Sequence, residues 1–271
     1  LISSIIIVII SAYFIIEFSK EPSSISSFPN GFEILLTSNL MQEKLPDIYY
    51  IILDEYAGNE TLKENFNFNN SEFFKTLSKK GFTITENSYS NYPYTILSIP
   101  SSLNMQYLDF DKDTQIKSEN KLDQIRYITD NNLVMRNLNL HGYYTVSFFG
   151  GNEAIGIDEY VNEKLCGEKY FSSHDLAKIY PEERLKQKRI EILCTFEQMI
   201  QIKDKTKEPI FIYAHLSLPH KPFVFNEFGE LEIFDQKGSS PEEFKEAYIQ
   251  QLKFANKMIL KTIDDILDDK T

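Results

Sequence analysis

An α/β fold, a mostly parallel sheet flanked by helices, is predicted for this chain by three observations. Continuous apolar runs rich in β-branched and aromatic residues stand at 48–53 (IYYIIL), 143–149 (YYTVSFF) and 209–216 (PIFIYAHL). Such runs suit strands buried on both faces, as in a parallel sheet, better than the strict alternation of a half-exposed strand. Segments with apolar residues at helical spacing separate them. The third observation is composition: with 271 residues and 42% hydrophobic content the chain can bury a substantial core.

The elements follow in order. The first strand opens sharply after Pro46 and ends at the acids Asp54 and Glu55. A helix is expected over 71–81, with Ser71 as its N-cap and Gly81 as its stop. A helical unit then runs from about Asn120 to Gly142, carrying Leu122, Ile125, Ile128, Val134 and Leu138 at helical spacing. It leads into the 143–149 strand. A third helix over 181–202 precedes the 209–216 strand. The last helix, 241–269, starts with Pro241 in its first turn and Glu242 and Glu243 beside it, where a proline is tolerated and acids complement the dipole.

Ahead of this domain, residues 1–17 are expected to form the outer end of a transmembrane helix. The stretch LISSIIIVIISAYFII carries no charge and departs from the apolar class only at three serines. Sixteen residues at ~1.5 Å each reach ~24 Å, slightly short of a ~30 Å hydrocarbon core. A signal-peptide core or a buried helix are the alternatives. Glu17, Lys20 and Glu21 form no positive cluster, so the domain is expected outside the cytoplasm, periplasmic or extracellular. Residues 18–45, rich in Ser and Pro, read as a linker, and 46–271 as the catalytic domain.

The net charge of -12 argues against a nucleic-acid-binding surface, which needs a basic stripe. It is compatible with carboxylate metal ligands or with a solvated acidic surface. Cys166 and Cys194 are the only cysteines. Outside the cytoplasm they could pair, or they could be two buried thiols; they have no metal-ligand spacing.

In an open parallel sheet, ligands gather beyond the carboxyl ends of the strands. There stand Asp54, the Phe149-Gly150-Gly151 turn and His215. Asp54 ends a run that should be buried, where a carboxylate needs a partner or a cation; the alternative is a cap for the next turn. Glu55, one residue on, is expected to face elsewhere. Two of the four histidines, His215 and His220, lie in AHLSLPHKPF just after a strand. Their spacing does not suit a helical zinc pair, and a histidine that donates to an anionic ester or a leaving group is the better reading. Loop histidines in solvent are the plainer alternative, and His141 and His174 read as ordinary loop or helix-end residues.

The stretch NYPYTILSIPSSLNM (91–105) carries no charge and many hydroxyls. Thr95 is either a simple N-cap or a nucleophile near the positive end of a helix, activated by a divalent metal. Pro100 cannot lie deep in a helix begun at Thr95 without disrupting it, so the helix is expected to be short and bent or to start nearer Ser98. The Asp-x-Asp-x-Asp of 109–120 has Thr114 and Asn120 where a calcium loop needs Gly and Glu, and reads as an acidic turn.

Taken together, PDIYYIILDEY, GFTITENSYSNYPYTILSIPSSLNM, HGYYTVSFF and YAHLSLPHKPFVF resemble, in order and spacing, the sulfatase and alkaline-phosphatase superfamily over roughly 46–271. The resemblance implies an alkaline-phosphatase-like fold. It implies that Asp54 is a metal ligand and that Thr95 is the nucleophile and touches the metal. His220, in Pro-His-x-Pro, is implied on the substrate side, with His215 a second candidate for that pocket. The implied cofactor is a divalent metal ion, with Mn, Mg, Zn and Ca not separable. The implied reaction is attack on a phosphoryl or sulfuryl centre, giving a threonyl ester resolved by water or an acceptor hydroxyl. Thr95 is followed by Ile96, Leu97, Ser98 and Ile99, without the x-Pro-x-Arg of formylglycine sulfatases. A threonine behind a membrane anchor is more similar to lipoteichoic-acid synthases and phosphoethanolamine transferases. The expected partners are a membrane and an anionic ester on an envelope polysaccharide or lipid. A non-catalytic, glycan-binding or scaffolding family member is the alternative. The Asp-His-Gly segment that completes the metal site in those enzymes does not occur up to Thr271, so the chain as it stands is expected to be inactive.

Overall fold

The computed structural model describes residues 6–10, 45–85, 88–109, 120–148, 156–167, 181–232, 234 and 239–268. Among these, five strands form one sheet: β1 (Ile6–Ile10), β2 (Ile48–Leu53), β3 (Tyr144–Phe148), β4 (Glu163–Leu165) and β5 (Ile210–Leu216). Their order is β1-β2-β5-β3-β4. Strands β2, β5, β3 and β4 run parallel, and β1 joins β2 antiparallel. The helices are α1 (Asn59–Phe66), α2 (Ser71–Lys79), α3 (Thr95–Leu103), α4 (Lys121–Asp130), α5 (Leu133–Leu140), α6 (Pro181–Gln201) and α7 (Pro241–Asp268).

Both faces of the central strands are covered, which is why their sequences do not alternate. On one face Ile51, Leu53, Ile212, Ala214 and Leu216 pack with Phe196 and Met199 of α6 and Leu252 and Ile259 of α7. On the other, Ile52, Phe211 and Tyr213 pack with Ile99 and Leu103 of α3 and Met135 of α5. All seven residues of β5 are buried.

Several expectations need correction. Residues Ile6–Ile10, expected in a transmembrane helix, are a strand. The physical reason is propensity: a β-branched run favours extended backbone wherever a strand edge is free to pair. Among the described residues no helix is long and apolar enough to cross a membrane. The unit expected over Asn120 to Gly142 is two helices, because Asn120 and Asn132 each cap a new start, accepting from the amides of Leu122 and Met135. At α2 the N-cap is Asn70, not Ser71. Helix α1 and the short strand β4 were not anticipated. Most of the linker, the Phe149-Gly150-Gly151 turn, His174 and most of the acidic turn lie outside the described residues.

Cys166 and Cys194 are joined as a disulfide, tying the segment after β4 to α6 across 28 residues of sequence. Closing a loop of that size restricts the unfolded chain by about 3–4 kcal/mol. Cys194→Ser is therefore expected to lower unfolding free energy by about that amount, read from urea denaturation without reductant.

Candidate active site at the ends of β2 and β5

The register of β2 and β5 builds the centre of the site. Ile52 pairs with His215 and Leu53 with Leu216, and the Asp54 amide donates to the Leu216 carbonyl at 3.0 Å, extending the ladder by one residue. Residues 52, 54 and 215 therefore share one face of the sheet, the face covered by α3. Asp54 and His215 stand side by side, with His215 Nε2 3.5 Å from Asp54 Oδ2. Thr95, the first residue of α3, donates from Oγ1 to Asp54 Oδ1 at 3.0 Å. Two residues 41 apart in sequence thus meet at one carboxylate.

The turn after β2 is held from behind. Glu55 has φ 58, a left-handed conformation that is costly for a side chain other than glycine unless the surroundings enforce it. Tyr248 of α7 enforces it: its hydroxyl accepts from the Ala57 amide at 3.0 Å and donates to the Glu55 carbonyl at 2.8 Å. Below it lies a closed ring of three bonds, Asn70 to Tyr56, Tyr56 to Asn256 and Asn256 to Asn70, at 2.7, 2.5 and 2.8 Å. This buried polar ring is fully satisfied and so anchors α7 and α2 beneath the turn. The left-handed twist also corrects the expectation for Glu55. Instead of facing elsewhere, its Oε1 lies 3.3 Å from His220 Nε2.

His220 sits in the loop after β5, its amide donating to the Asp54 carbonyl at 3.1 Å. Its ring Nδ1 is bonded to the Lys221 carbonyl. A carbonyl only accepts, so Nδ1 carries a proton and Nε2 is turned to the carboxylates, 4.0 Å from Asp54 Oδ2. The His220 side chain is 33% exposed, whereas that of His215 is 3% exposed. His220 can meet a substrate; His215 is buried behind Asp54, and among the described residues neither of its ring nitrogens has a hydrogen-bond partner. Burial pushes the Asp54 carboxyl up, but the close approach and charge of His215, the charge of His220 and the hydrogen bond from the Thr95 hydroxyl hold it below the ordinary value.

The hydroxyl-rich stretch acts as a clamp. Ser98 Oγ donates to Asn91 Oδ1 at 2.5 Å, and Asn91 Nδ2 donates to Ser101 Oγ at 2.7 Å. Ser90 Oγ lies 2.9 Å from Ser98 Oγ. The loop before Thr95 is thereby tied to the first turns of α3. These bonds, with the Asn104 side chain donating to the Pro100 carbonyl at 2.8 Å, accompany a short helix that starts at Thr95 and runs through Pro100 to Leu103, so of the two alternatives the later start near Ser98 is the one set aside. Thr95 therefore lies at the positive end of the helix dipole. Asn91→Ala should cost about 1–2 kcal/mol of stability in denaturant.

Two further residues belong to the site. Lys188 of α6 donates from Nζ to the carbonyls of His220 and Pro222 at 2.7 and 2.9 Å. Desolvation pulls its pKa down to about 7, against the attraction of Asp54 and Glu55. Gln251 of α7 is fully buried, donating to the carbonyls of Pro219 and His220 at 3.1 Å each and accepting from the Val224 amide at 2.8 Å. Neither was anticipated. The readable signal was position: Lys188 and Gln251 fall on the apolar stripes Leu185–Ile192–Phe196–Met199 and Tyr248–Leu252–Ala255–Ile259.

Among the described residues no group of three or more His, Cys, Asp or Glu is arranged to hold a metal ion. The Asp54 carboxylate and the Thr95 hydroxyl, two oxygens converging beside a buried histidine, do fit as two ligands of a hard divalent cation.

Comparison with known proteins gives one match: a family model described as Sulfatase covers residues 46–271. No curated protein and no solved structure matches.

Proposed function

The chain belongs to the sulfatase family, and from that premise we propose that it transfers or hydrolyses phosphate or sulfate esters with Thr95 as nucleophile. The observation that carries this reading is the 3.0 Å hydrogen bond from Thr95 Oγ1 to Asp54 at the positive end of α3. A nucleophilic hydroxyl needs a path for its proton and a field that favours the alkoxide, and this arrangement supplies both.

In the proposed reaction the Thr95 oxygen forms a bond to phosphorus or sulfur while its proton leaves along the bond to Asp54. The bond to the ester oxygen breaks, and His220, exposed to the substrate side, gives that oxygen a proton from Nε2. Glu55 lies 3.3 Å from that nitrogen. His215, buried against Asp54, orients the carboxylate. A divalent cation held by Asp54 and Thr95 would lower the hydroxyl pKa and neutralise developing charge. Water or an acceptor hydroxyl then resolves the threonyl ester.

We place this activity outside the cytoplasm, on an envelope glycan or lipid. The Cys166–Cys194 disulfide supports that compartment, since such bonds persist in oxidising surroundings. Association with a membrane rests on the apolar composition of residues 1–16 alone, of which Ile6–Ile10 pair with β2 in the fold. The test is to quench the full-length protein during turnover of an aryl phosphate or aryl sulfate and map its peptides by mass. One phosphoryl or sulfuryl group on the Thr95 peptide supports the reading. Turnover with no adduct on any quench timescale, or an adduct elsewhere, sinks the Thr95 nucleophile.

A further inference from the structure

We propose that Lys188 is a positioning residue for His220: with Gln251 it holds the His220 main chain so that the ring stays turned to Asp54 and Glu55. The proposal rests on the reading of Thr95, Asp54 and His220 as the reacting site.

The His220 main chain is fixed at both polar atoms. Its amide donates to the Asp54 carbonyl. Its carbonyl accepts from Lys188 Nζ at 2.7 Å and from Gln251 Nε2 at 3.1 Å. The same two side chains take the carbonyls on either side, Pro219 by Gln251 and Pro222 by Lys188. Loops that carry reacting groups are ordinarily the loosest part of a domain, yet this one is gripped from α6 and α7 together. The next residue of α6 adds to the grip, with the Arg189 guanidinium 4.7 Å from the centre of the Phe225 ring.

A lysine on the apolar stripe of a helix is not what stability alone selects. Taking an ammonium out of water is costly, and an apolar side chain of similar volume in such a place is commonly neutral or better. A lysine that serves only to fill space would be replaceable by methionine without consequence. A lysine that supplies two directional donors to the His220 loop is not replaceable.

The test uses the full-length protein with ¹⁵N-labelled histidine, comparing wild type, Lys188→Met and Lys188→Arg on p-nitrophenyl phosphate and p-nitrophenyl sulfate. Under the proposal, Lys188→Met keeps its fold and thermal midpoint, shifts the ring nitrogen resonances of His220 but not those of His141, and lowers kcat about 10–100-fold. KM stays within about threefold, because the loss lies in the geometry of proton donation and not in binding. Lys188→Arg, which keeps the donors and the charge, recovers part of kcat. Wild-type kcat in Lys188→Met overturns the proposal. If the wild type turns over neither ester, the reading of the reaction fails while the clamp is still decided by the resonances: unmoved His220 signals overturn it. If Lys188→Met does not fold, Gln251→Leu carries the same comparison, and unchanged His220 signals and kcat there overturn the clamp.

Discussion

Thr95→Ala should lower kcat on an aryl phosphate or sulfate by about 10³–10⁶-fold, the range expected when a nucleophile that acts as a unit with its base is removed. The reason is local. Among the described residues Thr95 Oγ1 bonds to Asp54, and the substitution takes away the hydroxyl that meets that carboxylate. The fold should be almost untouched, because Thr95 is half-buried and packs little core; unfolding free energy should change by about 1 kcal/mol or less. Thr95→Ser restores a hydroxyl at the same place and should recover activity to within about a hundredfold of wild type. Full activity in Thr95→Ala would take Thr95 out of the mechanism and favour a family member that binds rather than reacts.

Asp54→Asn is expected to have the next largest effect, about 10²–10⁴-fold in kcat. The amide still accepts a hydrogen bond from Thr95 but cannot draw off its proton or balance a cation. This substitution also has a pH signature. The Asp54 carboxyl is held below its usual value of 3.8 in the folded protein. A carboxyl with a depressed folded pKa contributes stability that is present above the unfolded pKa and is lost as pH falls through the lower, folded value. Wild type should therefore hold an advantage over Asp54→Asn that is constant at neutral pH and begins to shrink as pH drops to about 4. Paired urea titrations at pH 7, 5 and 3 would read it. An advantage that grows on acidification would mean the carboxyl is not stabilised in its ionised form.

Much of this architecture was legible because buried parallel strands and long amphipathic helices leave strong patterns. The runs at 48–53 and 209–216 became β2 and β5, and the last helix runs over Pro241–Asp268. The rule that ligands gather at strand ends led to Asp54 and His215, and the geometry joins Thr95 and His220 to them. What stayed illegible depends on through-space partners. The direction of Glu55 follows from a left-handed turn enforced by Tyr248, nearly two hundred residues away (separation 193). Lys188 and Gln251 are polar residues on otherwise apolar stripes, and only the position of the His220 loop gives them a purpose. The break between α4 and α5 turned on a single Asn132 cap inside a pattern whose apolar spacing continues across it. The N-terminal apolar run was ambiguous in kind, since isoleucine suits both lipid and sheet.

That run sets up a competition. While Ile6–Ile10 pairs with β2, that side of β2 is covered and β1 is the outermost strand. Were the same residues drawn into a bilayer as helix, the amides and carbonyls along that side of Ile48–Leu53 would stand unpaired, a template for any strand that arrives. One segment cannot guard the border and hold the membrane at once. With β1 in place the border of the sheet is a strand that carries no site residue; without it the border would be the strand that leads to Asp54.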